Sequence, residues 1–128
     1  MTLVAATATV ALLQDTAAAA ADEDNGLHPK VKMETSLGDM VLELNGEKAP
    51  VTTMNFIQYA EDKFFDGTVF HRVIPTFMIQ GGGFTETLDK KTEGLRPGIL
   101  NEWKNGLKNK RGTIAMARIG GQPNSATA

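Results

Sequence analysis

The chain has 128 residues, 41% hydrophobic and 22% charged, proportions that suit one small soluble globular domain. A formal net charge of −2 gives no electrostatic case for nucleic acid, and the cluster Lys108, Lys110 and Arg111 is too short to make one. Cysteine is absent, which excludes a disulfide framework, a thiol nucleophile and a cysteine-based zinc site. No apolar stretch is long enough to cross a bilayer as a helix.

Residues 1–21, MTLVAATATVALLQDTAAAAA, differ in composition from everything that follows. The apolar run Leu3–Leu13 has the length of a signal-peptide core, and the alanines before Asp22 offer small-residue cleavage sites. Yet no Lys or Arg precedes the run, and Asp15 interrupts it. Two readings stand side by side: an export signal, which would make the protein periplasmic or secreted, or an Ala-rich tail, helical or disordered, on a cytoplasmic one. Residues 1–28 are therefore set apart from the fold, and residues 29–128 are taken as the domain.

From Lys30 the pattern becomes regular. KVKMETS (30–36) alternates Val31, Met33 and Thr35 with charged residues, the period-two pattern of a half-buried strand. Gly38-Asp39 supplies a turn, and MVLEL (40–44) alternates again, so the two runs predict a hairpin. In VTTMNFIQYAEDKFF (51–65), Thr53, Phe56, Ile57, Ala60 and Phe64 recur at three- and four-residue spacing and predict an amphipathic helix, capped by Thr52 or Thr53 and broken at Asp66-Gly67. VFHRVIPTFMIQGGGF (69–84) follows, with strand-forming residues on both sides of Pro75-Thr76. Residues 84–112 carry seven Lys or Arg and predict a long surface excursion with at most a short strand near Ile99. TIAMARI (113–119) alternates once more. Strands around a single helix, without a βαβ rhythm, indicate an antiparallel sheet or barrel with a packed helix.

The stretch 69–84 carries the chemistry. An apolar strand has little use for a guanidinium, which is expensive to bury unpaired. If Pro75-Thr76 forms a hairpin loop between strands 69–74 and 77–81, a register centred on Thr76 places Arg72 opposite Gln80 on one face. Phe77 and Met78 then sit beside the turn, giving the mostly apolar surface with a few placed donors that suits a small ligand or peptide. Gly81-Gly82-Gly83 permit a sharp change of direction and a close backbone approach. Blander readings exist for each: Arg72 as an edge-strand charge, Phe77 and Met78 as core, His71 as a structural histidine on the opposite face. With His28 and His71 the only histidines, no two-histidine metal motif exists. The glycines are no phosphate loop, and Ser125 lacks the setting of a hydrolase nucleophile. The pattern supports a ligand-binding β domain and goes no further.

FFDGTVFHRVIPTFMIQGGGF, NGLKNKRGTIAMAR and NSATA together resemble the cyclophilin family of peptidyl-prolyl cis–trans isomerases, above all its bacterial members, and the similarity runs from Val31 to Ala128. It includes the two-strand start, the Ala49-Pro50 before the helix and Asn55-Phe56 within it. The resemblance implies a mainly β fold: a closed antiparallel barrel of about eight strands with capping helices, bearing its site on the outer surface. It makes Arg72 the catalytic arginine, Phe77, Met78 and Gln80 pocket and substrate-binding residues, and Met116 and Ala117 a further substrate-contacting stretch. His71 matches a histidine adjacent to the site. Thr76 stands where relatives more often have Gly or Asn, and Trp103 falls at a variable position. No metal and no cofactor are implied. The implied partners are proline-containing polypeptides and a cyclosporin-type inhibitor, with no nucleic acid and no membrane insertion of the mature domain, and the implied state is a monomer.

In the family, SATA is followed by another strand and further pocket residues. The expectation is therefore that these 128 residues are the N-terminal part of a longer isomerase, with an unpaired edge that disfavours folding on their own. The activity implied is rotation of X–Pro peptide bonds during protein folding. Its alternative is a proline-peptide binding or chaperone module of the same shape without useful turnover. A carbohydrate- or nucleic-acid-binding barrel is disfavoured by the mild acidity and by an aromatic content of 6%.

Overall fold

The computed structural model describes residues 8–12 and 26–128 of the chain. Five strands, β1 (Ala8–Leu12), β2 (Lys30–Thr35), β3 (Gly38–Glu43), β4 (Thr68–Ile74) and β5 (Met78–Thr85), and one helix, α1 (Pro50–Glu61), are formed among them. The strands make one antiparallel sheet in the order β3-β2-β1-β4-β5. Ala8–Leu12 lies inside the segment set apart from the fold, where it pairs along β2 and meets β4 at Ala8–Thr68. The remaining residues of the signal-or-tail segment, 1–7 and 13–25, lie outside the described residues.

The first hairpin forms as its alternation predicts, but its turn is at Ser36-Leu37 and not at Gly38-Asp39. Thr35 pairs with Gly38, whose φ of 129° is a conformation that a side chain would resist. The Thr35 hydroxyl donates to the Gly38 carbonyl at 2.6 Å and accepts from the Leu37 amide at 3.2 Å, closing the turn with side-chain chemistry. On the exposed sheet face Lys32 bridges Glu34 and Asp39 at 2.6 and 2.9 Å. Hydrogen bonds to Glu34 and then to Asp39 hold the ammonium protonated well above the usual lysine range.

Helix α1 is shorter than its apolar spacing suggests and lacks the predicted threonine cap. It begins at Pro50, whose missing N–H suits the first helical position. The residue before it, Ala49, offers no side-chain cap, and the first turn carries no acidic residue. The orphan amides are satisfied instead from a distant loop. Glu102 accepts from the Val51 and Thr52 amides at 3.0 and 2.8 Å, and from the Thr52 hydroxyl at 2.8 Å. The other end follows the same logic with opposite charge. Arg96, six residues earlier in that loop, donates to Gln58 at 2.9 Å and pairs with Asp62, the residue that ends the helix. A carboxylate at the amino end and a guanidinium at the carboxyl end both complement the helix dipole. Residues 96–102 thus form a strap along α1. Replacing Glu102 by Gln removes the charge and one acceptor, and should lower stability by about 0.5–2 kcal/mol, the range for loss of an N-cap; equilibrium urea unfolding measures it.

The core gathers where α1 lies on the sheet. Val31, Leu44, Phe56, Tyr59, Ala60, Phe64 and Phe65 are buried together, with Met33, Leu42, Ile57, Met116 and Ala128 packed around them. The aromatic rings meet in tilted and edge-on pairs, from 4.7 Å for Tyr59–Phe64 to 5.9 Å for Tyr59–Phe65. Phe64 lies beyond the helix but still reaches the core, because Lys63 turns into the left-handed region at φ 55° and folds the chain back. Residues 86–112 are extended surface chain, tied by an isolated bridge between Phe84 and Lys90, by the Lys91 ammonium donating to the Asp66 carbonyl at 2.8 Å, and by the strap. TIAMARI, predicted as a strand, forms none in the described structure. Its alternation has no neighbouring ladder to pair with, and a strand without a ladder gains too little to order itself.

Candidate active site

The β4–β5 hairpin brings the sequence-predicted polar pair together. Its register pairs Arg72 with Gln80, Val73 with Ile79 and Ile74 with Met78. Direct partners share a face and alternate residues of one strand do too, so Arg72, Ile74, Met78 and Gln80 present a single surface. The connection is Pro75-Thr76-Phe77, closed by the Phe77 amide donating to the Ile74 carbonyl at 3.1 Å. Pro75 fixes the entry angle of the turn. Phe77 lies in the turn with 77% of its surface exposed, and Met78 is half-buried behind it.

Thr76 adopts φ 65°, the left-handed region in which a β-branched residue is crowded. A backbone there favours glycine. The strain of a non-glycine residue is about 1–2 kcal/mol and the entropy loss of a glycine about 0.5–1 kcal/mol, so Thr76→Gly should gain up to about 1.5 kcal/mol of stability. A raised unfolding midpoint in urea is the expected observation.

The glycines do not end the strand. β5 runs through Gly81, Gly82 and Gly83 to Thr85, and the pairing with β4 slips between Thr68 and Phe70 and again between Phe70 and Arg72. At Gly81 and Gly82 the role is close approach. A Cβ on Gly81 would stand 2.8 Å from the Phe70 ring and 3.0 Å from the Val69 carbonyl, and Gly82 faces the Phe65 ring at φ 90°. Without side chains here the hairpin lies directly on the aromatic core, and its outer face is held firm.

His71 falls where the pairing slips between Phe70 and Arg72, so simple alternation does not fix its face. Its ring is tilted against Phe84 with centroids 4.4 Å apart, and its Nδ1 is buried without a hydrogen-bond partner. Arg72 is exposed. Among the described residues neither its guanidinium nor the Gln80 amide makes a side-chain hydrogen bond or ion pair. Arg96 is fully engaged by α1, whereas Arg72 is a donor fork held in place by its strand with no partner among the described residues. Met116 packs against the core cluster, while Ala117 is exposed on a stretch without regular structure. The hairpin thus unites Arg72, Phe77, Met78 and Gln80, while Met116 and Ala117 belong to a separate stretch of chain.

The residues that the linear pattern did not reveal are Glu102, Arg96, Asn55 and the Tyr59 hydroxyl. Asn55 is buried in α1 and donates to the Thr127 carbonyl at 2.5 Å, and Tyr59 accepts from the Arg96 amide at 2.7 Å. The one signal for Glu102 was a helix start with proline but no cap of its own.

Residues 30–128 match the family model of the cyclophilin-type peptidyl-prolyl cis-trans isomerases. The chain belongs to this family. It is 50% identical over 97 residues to a peptidyl-prolyl cis-trans isomerase of Acinetobacter baylyi, covering 76% of this chain and 50% of the relative. It is 53% identical over 98 residues to one of Streptomyces antibioticus, covering 77% and 57%. It is 49% identical over 98 residues to peptidyl-prolyl cis-trans isomerase B of Escherichia coli, covering 77% and 58%. The chain therefore spans about half the length of the curated relatives it matches. As a cyclophilin-type chain it carries the mainly β, antiparallel architecture expected of the family.

Proposed function

We propose that the protein catalyses cis–trans isomerisation of X–Pro peptide bonds in polypeptide substrates, with Arg72 as the catalytic residue. The observation that carries this reading is the exposed Arg72, without a side-chain partner among the described residues, directly opposite Gln80 and beside Phe77 and Met78 on a hairpin fixed against the core. The names of the relatives agree with it.

The reaction forms and breaks no covalent bond. Amide resonance sets a rotational barrier of about 18–20 kcal/mol. In the twisted transition state that resonance is lost, and the prolyl nitrogen regains a lone pair able to accept a hydrogen bond. A guanidinium N–H aimed at that nitrogen stabilises the twisted state more than either planar one, and differential stabilisation is what raises turnover. Phe77 and Met78 supply an apolar wall for the proline ring. Gln80 and the backbone at Ala117, with Met116 anchored beside it, hold the flanking chain while the other side of the bond turns. Desolvation at the wall adds to the effect, since the charge-separated amide form prefers water. An acceleration of about 10⁵-fold requires about 7 kcal/mol, within reach of one charged hydrogen bond together with positioning and desolvation. His71 is assigned no chemical step.

The test is a proline-isomerisation assay on the 128-residue chain and on that chain joined to the C-terminal half of a relative. Turnover in either supports the reading. A well-folded joined protein that binds proline peptides without turnover replaces it with a binding or chaperone module.

A further inference from the structure

The stretch after Ala117 carries a hydrogen-bond arrangement that the proposed reaction has not yet used. Met116 is fixed on one side of Ala117 by packing into the core. On the other side, the Ile119 amide donates to the Ser125 hydroxyl at 2.7 Å, and that hydroxyl donates onward to the Gln122 carbonyl, also at 2.7 Å. The Gln122 amide returns to the Ile119 carbonyl at 3.0 Å. One side chain thus closes the loop Ile119-Gly120-Gly121-Gln122-Pro123-Asn124 at its base. That loop holds two glycines, one at φ 78°, and has little stiffness of its own.

Ser125 is itself firmly held. The Asn124 side-chain carbonyl accepts from the Asn101 amide at 3.0 Å, the Ala126 carbonyl accepts from the Ile99 amide at 2.9 Å, and Ala126 is buried. Asn55 of α1 grips the Thr127 carbonyl. A side chain at Gly98 would collide with the Asn124 carbonyl, so the strap lies flush along this segment. The strap is in turn pinned to both ends of α1 by Glu102 and Arg96. The exposed backbone at Ala117 is therefore bracketed by two anchors, the Met116 side chain and the Ser125 hydroxyl.

We infer that Ser125 is a positioning residue that fixes the backbone of Ala117 for contact with the chain flanking the substrate proline. This rests on the isomerase reading and deepens it: the effect of Ser125 falls on flanking residues and leaves the proline ring and the Arg72 step untouched. A loop released at Ile119 would lose the alignment of the Ala117 amide and carbonyl. A minimal substrate that never reaches Ala117 would not register the loss.

The experiment compares wild type, Ser125→Ala and Ser125→Thr in the full-length protein, each with a blocked X–Pro dipeptide and with a blocked tetrapeptide that has residues on both sides of the proline. Ser125→Ala should raise KM for the tetrapeptide by about 3- to 10-fold, the worth of one net hydrogen bond, with kcat held within about twofold. The dipeptide should be unaffected, and Ser125→Thr, which keeps the hydroxyl, should restore the tetrapeptide KM. An active wild type with unchanged tetrapeptide KM in Ser125→Ala, or with equal losses on both substrates, overturns the assignment of Ser125 alone. A folded wild type without turnover overturns the isomerase reading, and the Ser125 role with it. If Ser125→Ala does not fold, amide hydrogen exchange in the wild type decides. Protection of Ile119 that increases with bound tetrapeptide supports the assignment, and exchange as fast as at Gly120 and Gly121 overturns it.

Discussion

Arg72→Ala is expected to reduce turnover by about 10- to 1,000-fold, its upper part being the roughly 100- to 1,000-fold loss on removal of one preorganised donor from a transition-state site. The loss should appear in kcat and kcat/KM together, because the lone pair that Arg72 meets exists only in mid-rotation. Stability should hardly change. The side chain is exposed, and among the described residues it makes no ion pair that a truncation would break. That combination separates the catalytic reading from the edge-charge reading. An edge-strand arginine would, on removal, raise aggregation and leave turnover intact. Arg72→Lys should recover part of the rate at most. Its ammonium is a compact point charge and lacks the planar fork of donors that Arg72 offers from β4. Wild-type turnover in Arg72→Ala, measured on the full-length protein, would remove the mechanism.

The position of Arg72 was legible in the sequence because a hairpin register is a local matter. Pro75 sets the turn, equal arms on either side of Thr76 set the pairing, and the alternation of apolar residues sets the face; the Arg72–Gln80 pair follows from these. The first hairpin and α1 were legible for the same reason. The ends of α1 were not, since they depend on groups far along the chain. The Thr52 hydroxyl donates to Glu102 and does not cap the helix, and nothing within α1 indicates that a carboxylate fifty residues away receives its amides. Gly81, Gly82 and Gly83 read as a break because glycine weakens a strand, yet all three continue β5, and at Gly81 and Gly82 the Phe70 and Phe65 rings occupy the space a side chain would need. The period-two pattern of 113–119 is real, but alternation predicts a strand only when a partner strand is present. Ala8–Leu12 shows the converse: a short segment with no strong signal of its own becomes β1 by pairing along β2.

The largest stability effect should come from Tyr59. Its side chain is fully buried, its ring packs against Phe64 and Phe65, and its hydroxyl accepts the Arg96 amide at 2.7 Å. Tyr59→Ala empties an aromatic site at the centre of the core and should cost about 3–5 kcal/mol, enough to remove much of the stability of a small domain. Tyr59→Phe keeps the ring and removes only the acceptor, leaving the Arg96 amide unpaired at a cost of about 1–3 kcal/mol. The difference between the two variants separates packing from attachment of the strap. The Arg96 guanidinium also stands 5.7 Å from the Tyr59 ring centre while it engages Gln58 and Asp62. The ring and the guanidinium are therefore coupled, and Tyr59→Leu, which removes the ring, combined with Arg96→Met should cost less than the sum of the single changes. Urea unfolding of the four proteins in this cycle measures the coupling. Strict additivity would mean that the strap rests on Glu102 and its contacts with residues 124–126, with Tyr59 acting purely as core.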